Sequence, residues 1–491
     1  MFASRNAEDP VIPTALQAFG PKPGLPGAIL ALMCAALLSG CASFSPDGGV
    51  SVVASAAGQA LHKDVVAIRT ADDAARAHDA VDALRRKSLS ADGAVQIALL
   101  NNSGLQAAYN ELARAEAGMV QESLPPNPTF SLSRIAGGGG SEIERQVVGD
   151  ILALATLPFR SDIAHDRFRQ AQLRAALETL RLAADVRRVY YRAVAAAELV
   201  DLLSEADAAA DSTAQLAKKL GETGSMSKLD QAREQVFHAE TTADLAVARQ
   251  SAASARERLV RLLGFADDGP DFKLPSQLPA LPARLRALPA VEVDAVGHRL
   301  DLQIVRLDVV ALSKALDLAE ASRFVTMLDL AGIDKRIRDP GSEPRNERGF
   351  DVTFQIPIFD GGEVRVRQAV ETYNAAFNRL AEKAVNVRSE ARDAYRTYRS
   401  AYGIAAHYQR EVLPLRKIIS DEMQLRLSSM QVDVFALVTE ARQRVASLRA
   451  AIEAKRNFWL AQSDLQNAIN GGGMDDALHE SGRSTTTADA Q

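Results

Sequence analysis

The chain has almost no cysteine. Its two, Cys34 and Cys41, stand among 491 residues, and Cys34 falls in a segment read below as removed. No disulfide is then available, so packing or oligomerisation must hold the protein together. A basic excess is also missing: the formal net charge is −5 and the sequence pI is near 5.9, which argues against a nucleic-acid partner. Past residue 40 there is no run of about eighteen apolar residues, the least a transmembrane helix needs. That excludes a helical span and leaves membrane strands or a lipid anchor. Catalytic signatures are missing too. Histidines at 62, 78, 165, 238, 298 and 407 are scattered, with neither HExxH nor His-x-His spacing. There is no Gly-x-Ser-x-Gly elbow, Walker loop or Rossmann fingerprint, and Gly137–Gly140 reads as a loop. The expectation is a protein that is not an enzyme and holds no metal or cofactor.

What is present begins with the apolar run Leu25–Leu38 and the residues that close it, Leu38-Ser39-Gly40-Cys41. The run is too short to span as a mature helix and reads as a signal peptide. Its last four residues resemble the bacterial lipobox, in which the cysteine thiol takes a lipid and becomes the new N-terminus. Residues 1–40 are thus expected to be cleaved, Cys41 lipidated, and 41–88 to form an anchored N-terminal segment. Met1–Gly24 is long for the leading part of a signal, so the reading allows a start codon downstream of Met1.

The remainder repeats itself. Gly104-Leu105-Gln106 opens a helical stretch that ends near Pro125-Pro126-Asn127-Pro128, and Asp301-Leu302-Gln303 opens another that ends near Arg323. Two short strand-like segments follow each. The closers are Leu157-Pro158-Phe159-Arg160 and Ile356-Pro357-Ile358-Phe359-Asp360, so the halves stand roughly 200 residues apart. After each closer runs a long helical pattern. From Ser161 to Leu220 there is neither Pro nor Gly, and Leu173, Leu177, Leu180, Ala184, Tyr191 and Val194 form a heptad-like stripe. Gly221 and Gly224 break it, and Lys228–Leu263 runs back as the second arm of a hairpin. The second half copies this with Glu363–Leu427, a break around Ser428-Ser429-Met430, and Val434–Ile469. Pro414 should kink the outgoing helix or mark a junction. These boundaries give a first repeat over 89–264, a Pro-rich ordered crossing or linker over 265–290, a second repeat over 291–470, and a disordered tail over 471–491.

The strands decide whether this is a plain coiled coil. In Phe350–Ile358 the apolar residues are Phe350, Val352, Phe354, Ile356 and Ile358, alternating with Asp351, Thr353 and Gln355. That period-two pattern has the length of a tilted membrane strand. Phe130 and Leu132 against Ser131 and Ser133 repeat it weakly. Val147–Leu157 and Arg323–Ile333 alternate poorly, with Asp329 suited to a lumen rather than to lipid. Lys335–Arg348 reads as a loop. Four strands cannot close a barrel, so in a membrane several chains must share one. A soluble four-stranded cap is the alternative.

The doubled order, Leu124-Pro125-Pro126-Asn127-Pro128-Thr129 before the first strand, Pro357-Ile358-Phe359-Asp360-Gly361-Gly362 after the last, and Val412-Leu413-Pro414-Leu415 together resemble the TolC-like outer-membrane efflux factors over about Leu89 to Asn470. The resemblance implies a mainly α protein with a small β part. It implies a homotrimer with one twelve-stranded barrel and a periplasmic helical barrel, anchored in the outer membrane by the lipid on Cys41. The implied partners are a periplasmic adaptor and an inner-membrane pump. Acidic residues at the second tip close the entrance in that family, which makes Asp433, with Asp230 at the first tip, the aperture candidates. Either carboxylate could instead cap its helix. Gly224, Ser225, Ser429 and Met430 are the candidates for adaptor docking. The family's Tyr-x-x-Gly ahead of the second turn is replaced by Leu425-Arg426-Leu427-Ser428. Phe458-Trp459-Leu460-Ala461-Gln462 resembles the ending of members found with heavy-metal resistance systems. The runner-up is a periplasmic coiled-coil lipoprotein, an adaptor or structural bridge without a pore.

Overall fold

The computed structural model describes residues 44–266, 272–285, 287, 289–429, 431–432 and 434–471. Cys41, Met430, Asp433, the signal segment and the tail past 471 lie outside the described residues. After a short helical lead-in over 50–61 come α1 (Ala71–Arg85), α2 (Ala91–Asn101) and α3 (Ser103–Ser123), each opened by a side-chain cap: Thr70, Ser90 and Asn102. Then follow β1 (Thr129–Gly137), β2 (Gly140–Asp150), α4 (Ile151–Glu222) and α5 (Lys228–Leu262). The second half runs α6 (Val291–His298), α7 (Leu300–Ala321), β3 (Met327–Arg338), β4 (Arg345–Gln355) and α8 (Glu363–His407). A π-turn over Tyr408–Val412, α9 (Leu413–Ser428) and α10 (Val434–Asn470) complete it.

The duplication is therefore present element by element, with three shifts in the boundaries. The first long helix opens at Ile151 rather than Ser161, because Asp150 caps it by accepting from Ala153 N at 2.8 Å. Pro158 sits inside that helix instead of closing a strand. The segment 147–157 thus splits, its first four residues finishing β2. The expected loop 335–348 is mostly strand, leaving only 339–344 as the connection. Pro414 does mark a junction: the π-turn lies immediately before it. A proline lacks N–H and its ring crowds the carbonyl four residues back, and a π-turn moves that carbonyl aside.

At 72 residues, α4 runs roughly 110 Å. Its whole predicted stripe, Leu173 to Val194, is buried. The main core surrounds the middle of α4 and draws Leu300 and Ile452 from the second half. An aromatic chain joins the halves: Tyr191 stacks on Trp459 with centroids 5.2 Å apart, Trp459 meets Phe458, and Phe458 stacks on Tyr398. The described part of the segment 265–290 is tied down by hydrogen bonds. Leu278 N donates to Glu198, Trp459 Nε1 to Pro279 O at 3.1 Å, and Tyr402 OH to Pro282 O at 3.0 Å.

Candidate membrane sheet and helical tips

The four strands form one antiparallel sheet in the order β1-β2-β3-β4, leaving β1 and β4 as open edges. Gly138 and Gly139, both at positive φ, close the first hairpin with a two-residue turn. The central pairing, β2 with β3, joins the two halves, from Ser141↔Arg338 to Asp150↔Asp329. Because successive side chains point to opposite faces, the register sorts every residue.

One face carries Phe130, Leu132, Val147, Leu328, Leu330, Phe350, Val352 and Phe354. Most are well exposed: Phe130 at 66%, Phe350 at 78% and Phe354 at 59%. The other face carries Ser131, Gln146, Asp150, Asp329, Asp351 and Thr353, with Val148, Ala331 and Ile333 among them. Large apolar groups in water with polar groups behind them invert the arrangement of a soluble sheet, which buries its apolar face. Sheet and helix meet at Pro357-Ile358-Phe359-Asp360-Gly361-Gly362. A Cβ on Gly362 would stand 2.2 Å from Arg323 O, so the backbones approach where only glycine fits, at φ 73°. Asp360 accepts from Gly362 N, and Arg323 Nε donates to Gly361 O at 2.8 Å.

At the first tip, Gly224 turns the chain at φ 74°, and Ser225 N donates to Leu220 O. The cap of α5 is Ser227, whose Oγ accepts from Asp230 N at 3.1 Å and donates to Asp230 Oδ2 at 2.7 Å. The other oxygen of Asp230 meets Arg233 at 3.0 Å. Asp230 is thus the third helical residue, engaged by its own first turn. Gly224 and Ser225 are exposed beside it. At the second tip, Ser429 is exposed, and its N donates to Leu425 O at 3.1 Å. Behind the tips, Arg442 of α10 reaches the buried Glu234 of α5 at 3.4 Å and lies 3.9 Å over the Phe237 ring.

One cluster escaped the sequence reading. Arg299, fully buried, donates to both oxygens of Asp301 at 2.9 and 2.6 Å and to Glu390, while Lys383 lies 2.9 Å from Asp301. Burial pushes the Asp301 carboxyl up, but Arg299 and Lys383 outweigh it and hold it below the usual carboxylate range. The signal was visible as Arg299-Leu300-Asp301-Leu302, two opposite charges at the mouth of an apolar helix. Among the described residues, no group of His, Cys, Asp and Glu could hold a metal ion, and no helix is long and apolar enough to cross a membrane.

No protein-family model matches the chain. A curated relative, the cobalt-zinc-cadmium resistance protein CzcC of Cupriavidus metallidurans, is 26% identical over 313 residues, spanning 59% of this chain and 68% of that protein. Among solved structures, CusC superposes with a TM-score of 0.63 at 18% identity, covering 80% of this chain and 92% of CusC. The outer-membrane channel OprN gives 0.65 at 16%, covering 83% and 94%. The outer-membrane channel CmeC of Campylobacter jejuni gives 0.61 at 15%, covering 80% and 89%. The fold is that of the TolC-like outer-membrane efflux channels.

Proposed function

We propose that the protein is an exit duct of the outer membrane, a transport conduit rather than an enzyme, passing substrates from an inner-membrane pump and a periplasmic adaptor to the outside. The observation that carries this reading is the inverted sheet. Its apolar face suits lipid, and its polar face suits a water-filled lumen. Its open edges cannot stand alone in lipid, so three copies contribute four strands each to one closed barrel.

The long hairpins then form the periplasmic tunnel. Asp433 is the aperture residue in this reading, where like charges from three copies would crowd at the entrance. Asp230, held by Ser227 and Arg233, secures the start of α5. Gly224, Ser225, Ser429 and Met430 offer the tips to the adaptor. The acidic inner face favours cationic cargo, in keeping with the metal resistance named for the curated relative. Lipidation of Cys41 is in keeping with where the nearby chain is held: Ser45 N donates to Glu116 at 2.7 Å, about two helical turns before α3 gives way to β1.

Paired substitutions test the sheet. Val352→Arg on the apolar face should cost about 2–4 kcal/mol of membrane stability, and Thr353→Arg on the polar face about 1 or less. The readout is the yield of heat-resistant oligomer in outer-membrane fractions. Equal loss from both would remove the lipid-facing assignment.

A further inference from the structure

The apolar face changes character abruptly towards the Gly138–Gly139 end. Beyond the row Phe130, Val147, Gly332, Phe350, the same face presents Arg134, Arg145, Arg336, Arg338 and Arg348, with Asp334 the acid among them and Leu132 and Ile143 the large apolar residues between them. Arg145 and Arg348 share Asp334, at 3.6 and 3.1 Å. Among the described residues, Arg134, Arg336 and Arg338 are exposed and have no carboxylate within ion-pair distance. At the same height the opposite face mixes both signs: Lys335 lies between Glu142 and Glu144, at 3.3 and 2.8 Å, and Arg345 pairs with Glu347 at 2.9 Å. A generic surface would mix lysine with arginine and both signs on both faces. Here the cations of the apolar face are all guanidinium, the group whose planar fork fits phosphate oxygens in pairs.

Resting on the exit-duct reading, we infer that this arginine belt binds the lipid phosphates of the outer leaflet and so fixes how deep the barrel sits. An arginine on the lipid-facing side is costly at mid-bilayer and nearly free at the interface. The hydrocarbon edge therefore falls between the Phe130–Phe350 row and the Arg145–Arg348 row. Unpaired guanidiniums just above that edge meet the phosphates of the headgroup layer, and the Asp334-bridged pair holds the row together.

The test is lipid retention. The purified lipoprotein is reconstituted in phosphatidylcholine vesicles containing a minor fraction of lipid A and extracted in polymer-bounded discs. Lipid A per protein is then compared with its bulk share. The wild type should be roughly tenfold enriched, as a few interfacial arginines imply. Arg134→Gln/Arg336→Gln/Arg338→Gln should fall to the bulk share, and the opposite-face variant Lys335→Gln/Arg345→Gln should stay enriched. Lipid A stripped of its phosphates should show no enrichment. Enrichment that survives the triple substitution, or that ignores the phosphates, overturns the proposal. Should the triple variant not assemble, each single substitution is read the same way, and three unchanged singles overturn it equally. Ion conductance of the same samples separates the two readings. Conductance without enrichment removes the belt alone, whereas no conductance from inserted protein removes the duct.

Discussion

The two halves of the chain repeat one order of elements but secure the same joint with different chemistry. In the first half, the α2–α3 joint is held by neutral amides. Asn102 caps α3, and the Asn101 and Asn102 side chains donate to Leu263 O and Leu262 O at 2.9 and 3.0 Å. In the second half, the α6–α7 joint is held by the buried Arg299 and Asp301 with the half-buried Glu390 and Lys383. Packing differs as well. The middle of α4 is lined with buried side chains. By contrast α9 has none, and it exposes Leu415, Ile418 and Leu425. Duplicated topology thus does not impose duplicated energetics. The first half supplies most of the main core around α4, whereas the second, with a smaller apolar cluster of its own around Val387, Ala391, Tyr398 and Phe458, adds an ionic knot at its joint.

The largest effect should come from cutting that knot. Arg299→Ala leaves the buried Asp301 carboxylate without its main partner and should cost about 3–5 kcal/mol. Asn101→Ala at the matching joint should cost about 1–2 kcal/mol, the loss of one half-buried hydrogen bond. Urea unfolding of the detergent-solubilised protein measures both, and equal costs would break the contrast.

Acid separates the joints next. The Asp301 carboxyl titrates lower folded than unfolded, so its contribution is fully present above about pH 4 and is lost as pH falls through the lowered value. No carboxylate serves the asparagine joint. Melting temperature should therefore fall more steeply below about pH 4 in the wild type than in Asp301→Asn, which starts lower at neutral pH. Parallel curves would mean that the cluster does not titrate with folding.

The smallest contrast lies in two tyrosines that pin crossing segments. Buried Tyr190 donates to Leu89 O at 2.8 Å, and half-buried Tyr402 to Pro282 O at 3.0 Å. Tyr190→Phe should cost about 1–2 kcal/mol and Tyr402→Phe about 0.5–1 kcal/mol, read by the same unfolding curves. A reversed order would show that the crossing segment is anchored more firmly than its exposure implies.

Much of this architecture was legible in the residues. Long Pro-free patterns, glycine breaks and the alternation in Phe350–Ile358 gave the hairpins and one strand, because helix and strand periods are local properties. The register between β2 and β3 was not legible. It depends on contacts between segments about 190 residues apart, and without it the arginines at 134, 145, 336, 338 and 348 look unrelated. Pro158 misled for a similar reason: its effect on a helix depends on neighbours that cannot be read locally. The Arg299 knot was hidden because its partners Lys383 and Glu390 sit on another helix.

Single-channel recording of the purified protein in a planar bilayer tests the duct most directly. The account predicts discrete openings from the assembled oligomer, larger or more frequent in Asp433→Ala. Folded, helical protein that inserts its sheet and passes no current would contradict it.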